Sequence, residues 1–320
     1  MHATRHSERS RRGRIPRLTG ESPPSRPDAP RHLRRRFLFP LAALAAILAC
    51  RAESGATGSR PARVPRRVVA LAPNLTEIVF ALGAGANLVG VSEHSDYPPA
   101  ARAIPRVGGL EVSAEKVASL RPDLVIATQE GNARGPVTAL AAAGVPVVVL
   151  PTGSLDAVLE SIRRIGEALG RPREAARLAD SLARRRAAVR ERILGRHRPK
   201  TILLVWPEPP QAAGGGTFLN DVLSEAGAEN LLERRPGWPV VSTEYLSTAP
   251  VEVLVLPVSA ATRPTFERAL STGALSRGSI RRARVVWTDD AVMTRPGPRV
   301  FGALEELAAA IHAADARRTP

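Results

Sequence analysis

From Val68 onward the chain alternates short, almost wholly apolar runs with longer stretches whose apolar residues recur every three or four positions. The short runs are Val68–Leu71, Leu124–Ala127 and Val147–Leu150, then Ile202–Val205, Val253–Leu256 and Val285–Trp287. Each is brief, rich in branched side chains and free of polar alternation, which predicts strands buried on both faces of a parallel sheet. In the longer stretches, Leu155, Val158, Leu159, Ile162, Ile165 and Leu169 fall on one side of a helix. Alternating strands and helices predict an α/β fold whose helices cover the sheets. Each half of the pattern holds too few strands for one large sheet, so two small α/β lobes are expected, at 66–170 and 198–315.

The segment between them, 171–197, reads as a single helix running from Pro172 to Leu194. Proline suits the first helical turn, where its missing N–H has no partner to lose. No Gly or Pro interrupts the rest of that stretch, and Ala, Leu, Arg and Glu dominate, all strong helix formers. At about 1.5 Å per residue this is a rod of about 34 Å, stiff enough to limit how far two lobes joined by it can hinge.

The halves echo each other. Glu77-Ile78-Val79-Phe80-Ala81-Leu82-Gly83-Ala84 parallels Asp221-Val222-Leu223-Ser224-Glu225-Ala226-Gly227-Ala228, and each is soon followed by asparagine, Asn87 or Asn230. Later, Ser113-Ala114-Glu115-Lys116-Val117 parallels Ser242-Thr243-Glu244-Tyr245-Leu246, and each copy then reaches a proline, Pro122 or Pro250, before an apolar run. Ser113 and Ser242 read as helix N-caps. A carboxylate just inside such a cap gains roughly 0.3–1 kcal/mol from the helix dipole. That accounts for Glu115 or Glu244 singly; it does not account for the same acid at the same place in both lobes.

Ahead of this body, Arg34-Arg35-Arg36 precede an apolar run from Phe37 to Ala49 that closes as Ile47-Leu48-Ala49-Cys50. A basic start, a short apolar middle and a small residue at the cut predict an export signal over 1–50, whose apolar run of 13 residues, 37–49, is too short to span a bilayer, which takes roughly 20. Arg34-Arg35-Arg36-Phe37-Leu38 also loosely fits a twin-arginine signal. Cys50 is the only cysteine. Ile47 three before it and Ala49 one before it match the lipobox of bacterial lipoproteins, in which the thiol is lipidated; an ordinary signal peptide or a buried free cysteine is the plainer alternative. Residues 51–65, rich in Gly, Ser, Pro and Arg, predict a flexible tether. A lone cysteine excludes an internal disulfide, so stability must come from packing.

The net charge is +16, of which residues 1–50, with 11 Arg against 3 acids, supply +8. Almost all of the basicity is arginine, since Lys116 and Lys200 are the only lysines. A nucleic-acid binder would gather its charge beside stacking aromatics. Here the arginines are scattered and aromatics make up 3 % of residues, so the charge reads as a solvated surface with no nucleic-acid partner. Catalytic patterns are absent as well. His94, His197 and His312 lie far apart without metal-ligand spacing, and no H-E-x-x-H, G-x-S-x-G or G-x-x-x-x-G-K occurs. Gly214-Gly215-Gly216 before Thr217 lacks the lysine of a phosphate loop and is expected to turn the chain into a helix. Neither an enzyme nor a resident cofactor is expected.

A further set of residues runs, in order, through the body: Leu71-Ala72-Pro73-Asn74-Leu75-Thr76-Glu77, Gly90-Val91-Ser92-Glu93-His94-Ser95-Asp96-Tyr97-Pro98-Pro99, Leu120-Arg121-Pro122-Asp123-Leu124-Val125-Ile126, Gly131-Asn132, Trp238-Pro239 and Arg295-Pro296-Gly297-Pro298-Arg299. Together with two lobes on one rod behind an export signal, it resembles the helical-backbone class of ABC-transporter substrate-binding proteins, nearest to the cobalamin (vitamin B12) type. The resemblance spans about Arg67 to Ala313. It implies two Rossmann-like lobes with parallel sheets joined by a single long helix, and a ligand cleft between them. It also implies a monomer held by a lipid anchor in the periplasm or on the outer face of the cytoplasmic membrane, handing its ligand to the permease and ATPase subunits of an importer.

Carried over residue by residue, the resemblance assigns Glu115 and Glu244 to docking on permease arginines. It assigns Pro73, Asn74, His94, Tyr97, Trp206, Trp238 and Arg295 to the cleft walls. A flat macrocycle wants broad apolar contact and a few orienting polar groups, which suits tryptophan. Core packing is the bland alternative for both tryptophans, and a water-exposed turn for Arg295. His94 departs from the pattern, where tyrosine is usual; imidazole could ligate cobalt or iron, although a lone loop histidine more often lines a wall or faces solvent. Gly109 or Leu110, and Thr128, stand where the cobalamin pattern has tryptophan. These departures keep haem and ferric siderophores open as alternative ligands, with no metal bound by the protein alone; a lipid-anchored enzyme or sensor domain on the same fold is the alternative from another functional class.

Overall fold

A computed structural model of the chain describes residues 64–109 and 111–313. The export signal, Cys50, most of the tether and Leu110 lie outside the described residues.

In the first lobe, β1 (Val68–Ala70), β2 (Leu88–Val91), β3 (Leu124–Thr128) and β4 (Val147–Leu150) form a parallel sheet in the order β2-β1-β3-β4. In the second, β5 (Lys200–Pro207), β6 (Pro210–Ala212), β7 (Glu229–Asn230), β8 (Val253–Val258) and β9 (Arg284–Asp289) form a sheet in the order β6-β5-β8-β9, with β7 also paired to β5. Of these, β6 runs antiparallel to β5 as a hairpin and the rest are parallel. Helices α1 (Pro73–Ala81), α2 (Ala114–Ser119), α3 (Arg134–Ala142) and α4 (Leu155–Ala168) belong to the first lobe. The rod is α5 (Pro172–Ile193), 22 residues long, or about 33 Å. Beyond it come α6 (Phe218–Glu225), α7 (Thr243–Thr248), α8 (Arg263–Ser271), α9 (Asp290–Met293) and α10 (Val300–Ile311). This is the α/β, two-lobed, single-rod architecture expected from the sequence.

All six apolar runs form strands, and those in β1, β3, β5 and β8 are packed on both faces, whereas β4 is a partly open edge with Val149 41 % exposed. Val68 and Ala70 of β1, with Leu124 and Ile126 of β3, face a core shared with α1, α4 and α5. Their neighbours Val69, Leu71, Val125 and Ala127 point the other way, into a cluster closed by Val117 and Leu140. The second lobe repeats the division: Leu203, Val253 and Val255 join the first core beside α6 and α10, while Ile202, Leu204, Leu254 and Leu256 pack with Leu246 and Phe266. Full burial of each such side chain is worth about 1.5–3 kcal/mol, and a polar residue on either face is costly unless it is hydrogen-bonded, as the buried Thr201 is to Pro199 O. The first core is continuous through both lobes along α5, which contributes Ala175, Ala179, Leu182 and Val189. Both lobes and the rod therefore form one compact unit among the described residues.

Three strands lacked the apolar signature. In β2 a glycine interrupts the run, because a Cβ on Gly90 would lie 2.6 Å from Leu120 Cδ1. The other two, β6 and β7, are short pieces recruited by the long edge of β5.

Ion pairs bolt the rod to each lobe. Arg186 of α5, with a side chain 7 % exposed, donates to Asp156 of α4 at 2.6 Å and to Glu225 of α6 at 2.6 Å. Arg190, one turn later, donates to both Glu225 oxygens at 2.5 and 2.7 Å. Across the lobes, Leu155 N–H at the start of α4 donates to Asp221 Oδ2 on α6 at 2.7 Å.

Candidate functional site

Parallel strands deliver the loops at their C-terminal ends to one end of the sheet, where ligand sites of such folds form. In the first lobe, all four such loops reach a cavity of about 660 Å³: Leu71–Asn74 after β1, Ser92 and His94 after β2, Thr128–Gly131 after β3, and Thr152 and Gly153 after β4. The second lobe closes it with Gly216–Leu219, Gly237 and Trp238, and Thr294–Pro296. The volume lies within the roughly 300–1,000 Å³ of small-molecule and cofactor sites.

Buried polar side chains hold these loops in place. Thr76 and Ser92 hydroxyls both hydrogen-bond the buried Ser95 hydroxyl, at 2.9 and 2.8 Å, and Arg106 donates to the carbonyls of Ser92 and Ser95 at 3.1 and 2.6 Å. These contacts fix the loop that presents His94. Asn132 accepts from Thr128 N–H at 2.8 Å and donates to Leu71 O at 2.9 Å, which pins the Thr128–Gly131 turn to the end of β1. On that turn, Glu130 Oε2 accepts from both the N–H and the hydroxyl of Thr152 at 2.9 Å. In the second lobe, Thr217 caps α6 by accepting from Asn220 N–H at 3.1 Å. The glycines before it are required by close packing. A Cβ on Gly214 would meet Arg235 O, and one on Gly215 would meet Glu233 O, each at 2.0 Å. The run therefore braces the loop that carries Trp238 as well as leading into α6.

A strap of the second lobe, Arg295–Arg299, crosses to the first. Arg295 Nη1 donates to Asp96 Oδ1 at 2.5 Å, and Asn74 Nδ2 donates to Pro296 O at 3.1 Å. Arg299 makes a two-pronged pair with Glu77, whose side chain is 3 % exposed, at 2.9 and 2.5 Å, and its guanidinium lies 4.0 Å from the centre of the Tyr97 ring. The hydrogen bond from Arg295 holds the Asp96 carboxyl below its ordinary range against the opposing effect of burial. The hydrogen bond to Glu77 raises the Arg299 guanidinium.

Of the residues expected at the cleft, Pro73, Asn74, His94, Trp238 and Arg295 come together as cavity walls. Tyr97 and Trp206 do not line it. Tyr97 is occupied by Arg299, and the indole of Trp206 folds over the β5–β6 hairpin, where Nε1 donates to Glu208 O at 3.0 Å. Trp238 leaves 48 % of its surface open, as a ligand platform requires. Glu115 and Glu244 are exposed in the first turns of α2 and α7, where Ser113 and Ser242 accept from the N–H groups of Lys116 and Tyr245 at 3.2 Å. Neither carboxylate has an ion-pair partner among the described residues. Glu130, Thr152, Thr217, Phe218 and Thr294 also line the cavity and were not read from the sequence. Gly131-Asn132 marked the turn but not the acid before it, and the only signal for Thr217-Phe218 was their place directly after a glycine run.

No helix among the described residues is long and apolar enough to cross a membrane. The family described as periplasmic binding protein matches residues 68–272. A vitamin B12-binding protein of Yersinia pestis (strain Pestoides F) is 30 % identical over 221 residues, covering 68 % of this chain and 77 % of that protein. Among solved structures, the periplasmic heme-binding protein RhuT from Roseiflexus sp. RS-1 in apo form superposes with a TM-score of 0.70 at 30 % identity, covering 78 % of this chain and 98 % of that one. The periplasmic vitamin B12-binding protein BtuF of Vibrio cholerae also gives 0.70, at 26 % identity, covering 79 % and 98 %. The family match over most of the two lobes, and relatives built on the same plan, carry one conclusion: the chain belongs to the periplasmic binding proteins, in the helical-backbone group that serves vitamin B12, haem and siderophores.

Proposed function

We propose that this protein is a receptor, lipid-anchored through Cys50 outside the cytoplasm, that captures cobalamin or a related corrinoid and passes it to an ABC importer. The observation that carries the reading is a single cavity walled by both lobes, with an open tryptophan on one side and polar loop ends on the other. It occurs in a chain 30 % identical to a vitamin B12-binding protein. A broad macrocycle fringed with hydrogen-bonding groups suits such walls: Trp238 supplies stacking area, and Asn74, Thr128, Thr152 and Thr294 supply polar contacts. Glu115 and Glu244 present one carboxylate per lobe, unpaired among the described residues, and such rim charges orient a partner and speed encounter more than they add affinity.

Titrating the purified chain with cyanocobalamin, dicyanocobinamide, hemin and ferric siderophores tests the ligand. One corrinoid is expected to bind tightly and saturably, and Trp238→Ala should weaken it about tenfold or more with no loss of thermal stability. No absorbance or heat change with either corrinoid would defeat the assignment. For docking, the double variant Glu115→Ala with Glu244→Ala should abolish uptake in cells while leaving ligand affinity intact; unchanged uptake removes that role. A haem reading is favoured by one observation, His94 in the cavity wall, alongside the likeness to RhuT. It requires a hemin spectrum that changes on binding and reverts in His94→Ala.

A further inference from the structure

Only two side chains that carry full charge at neutral pH line the cleft cavity among the described residues, Glu130 and Arg295. They are not equivalent. Arg295 is already paired within the protein, donating to Asp96 at 2.5 Å with its own side chain 17 % exposed. Its positive charge is therefore spent on a carboxylate before any ligand arrives. Glu130 is exposed, and no cation of the described residues pairs with it. One of its oxygens, Oε2, is held by two donors of Thr152, which anchors the carboxylate, and Oε1 accepts no hydrogen bond from the described residues. A chain of net charge +16 thus presents a cleft whose unneutralised fixed charge is negative. Electrostatics of this kind act through selectivity, since an unpaired like charge brought into a dry contact is costly.

We propose that Glu130 makes the cleft selective for ligand charge: its carboxylate accepts N–H groups from primary amides at the rim of a macrocycle and rejects macrocycles edged with carboxylates. The inference rests on the corrinoid reading, because corrinoids bear amide side chains where haem bears propionates and many siderophores bear anionic donors. Charge-assisted hydrogen bonds are about twice as strong as neutral ones. The same oxygen facing a propionate has no proton to accept and two negative charges to hold apart. Thr152 acts as a positioning residue that keeps the acceptor on the wall.

The test compares two corrinoids with one ring system, dicyanocobinamide with amide side chains and dicyanocobyrinic acid with carboxylates in their place, bound to the wild-type chain and to Glu130→Gln. Glutamine keeps the shape and an acceptor for the Thr152 N–H, so the thermal midpoint should not move. Wild type is expected to prefer the amide form. Glu130→Gln should bind the amide form about tenfold more weakly and the acid form about tenfold more tightly, a swing of roughly a hundredfold in the ratio. Raising salt from 0.05 to 1 M should narrow the wild-type preference and leave that of the variant nearly unchanged. If both forms bind wild type and the ratio is the same in Glu130→Gln, the selectivity role is overturned while the corrinoid reading stands. If neither form binds wild type, the corrinoid reading itself fails and takes this inference with it.

Discussion

The bolt between the rod and the second lobe can be weighed from two directions. Burial alone would raise the Glu225 carboxyl, but hydrogen bonds from Arg190 and Arg186 overcome it and bring the group from its ordinary 4.5 down to about 2. The side chain is 12 % exposed, so solvent screening is modest. Because the folded-state value lies below the unfolded one, the stabilisation is present above about pH 4.5 and is lost as pH falls through about 2. That difference corresponds to about 3 kcal/mol at pH 7, and to about 1.4 kcal/mol at pH 3, where both states are partly protonated. Independently, removing one partner of a buried ion pair costs about 3–5 kcal/mol. The two figures agree. Glu225→Gln, which keeps the shape and removes the charge, should therefore lower the urea-unfolding free energy by about 3 kcal/mol at pH 7. The gap to wild type should shrink to about half or less at pH 3. A gap below about 1 kcal/mol at pH 7, or one that stays constant with pH, would refute the idea that these charges hold the rod to the lobe.

Other substitutions probe the strap, the brace and the caps. Arg299→Ala leaves Glu77 buried without its cation and should cost about 3–5 kcal/mol, read by calorimetry; a loss under about 1 kcal/mol would mean the cross-lobe pair is not a stability element. Gly215→Ala forces a methyl against the Glu233 carbonyl and should cost about 1–3 kcal/mol or more and weaken ligand binding through the displaced Trp238 loop; a wild-type melting curve with wild-type affinity would disprove the brace. Ser113→Ala and Ser242→Ala should each cost about 1 kcal/mol in chemical denaturation without changing ligand affinity, since both caps lie away from the cavity walls.

The strands and the rod were legible along the chain because their causes are local. A strand buried on both faces is mostly apolar, so the runs Leu124–Ala127 and Val253–Leu256 announce themselves within strands that extend to Thr128 and Val258, and a helix needs only the right residues and a proline at its start. The serine caps, and the echo between the halves, are equally local. The strand β2 was hidden because Gly90 answers to Leu120, a neighbour that the fold supplies. The site was legible only in part. Both Trp206 and Trp238 were expected at the cleft, and the Pro and Gly around Trp238 were the one local sign favouring it; Trp206 ends on a hairpin over Glu208 O and Trp238 on the cavity wall. Glu130 had no signature of its own.

What the sequence by itself determined is the six apolar strands, the rod, their order and the echo between the halves, since periodicity and capping are written within a few residues. What only the tertiary structure decided is which loop ends meet. Glu77 finds Arg299 across 222 residues and Asp96 finds Arg295 across 199. A cleft is a surface made by two distant stretches of chain, so the charge it shows depends on which ion pairs the fold has already closed.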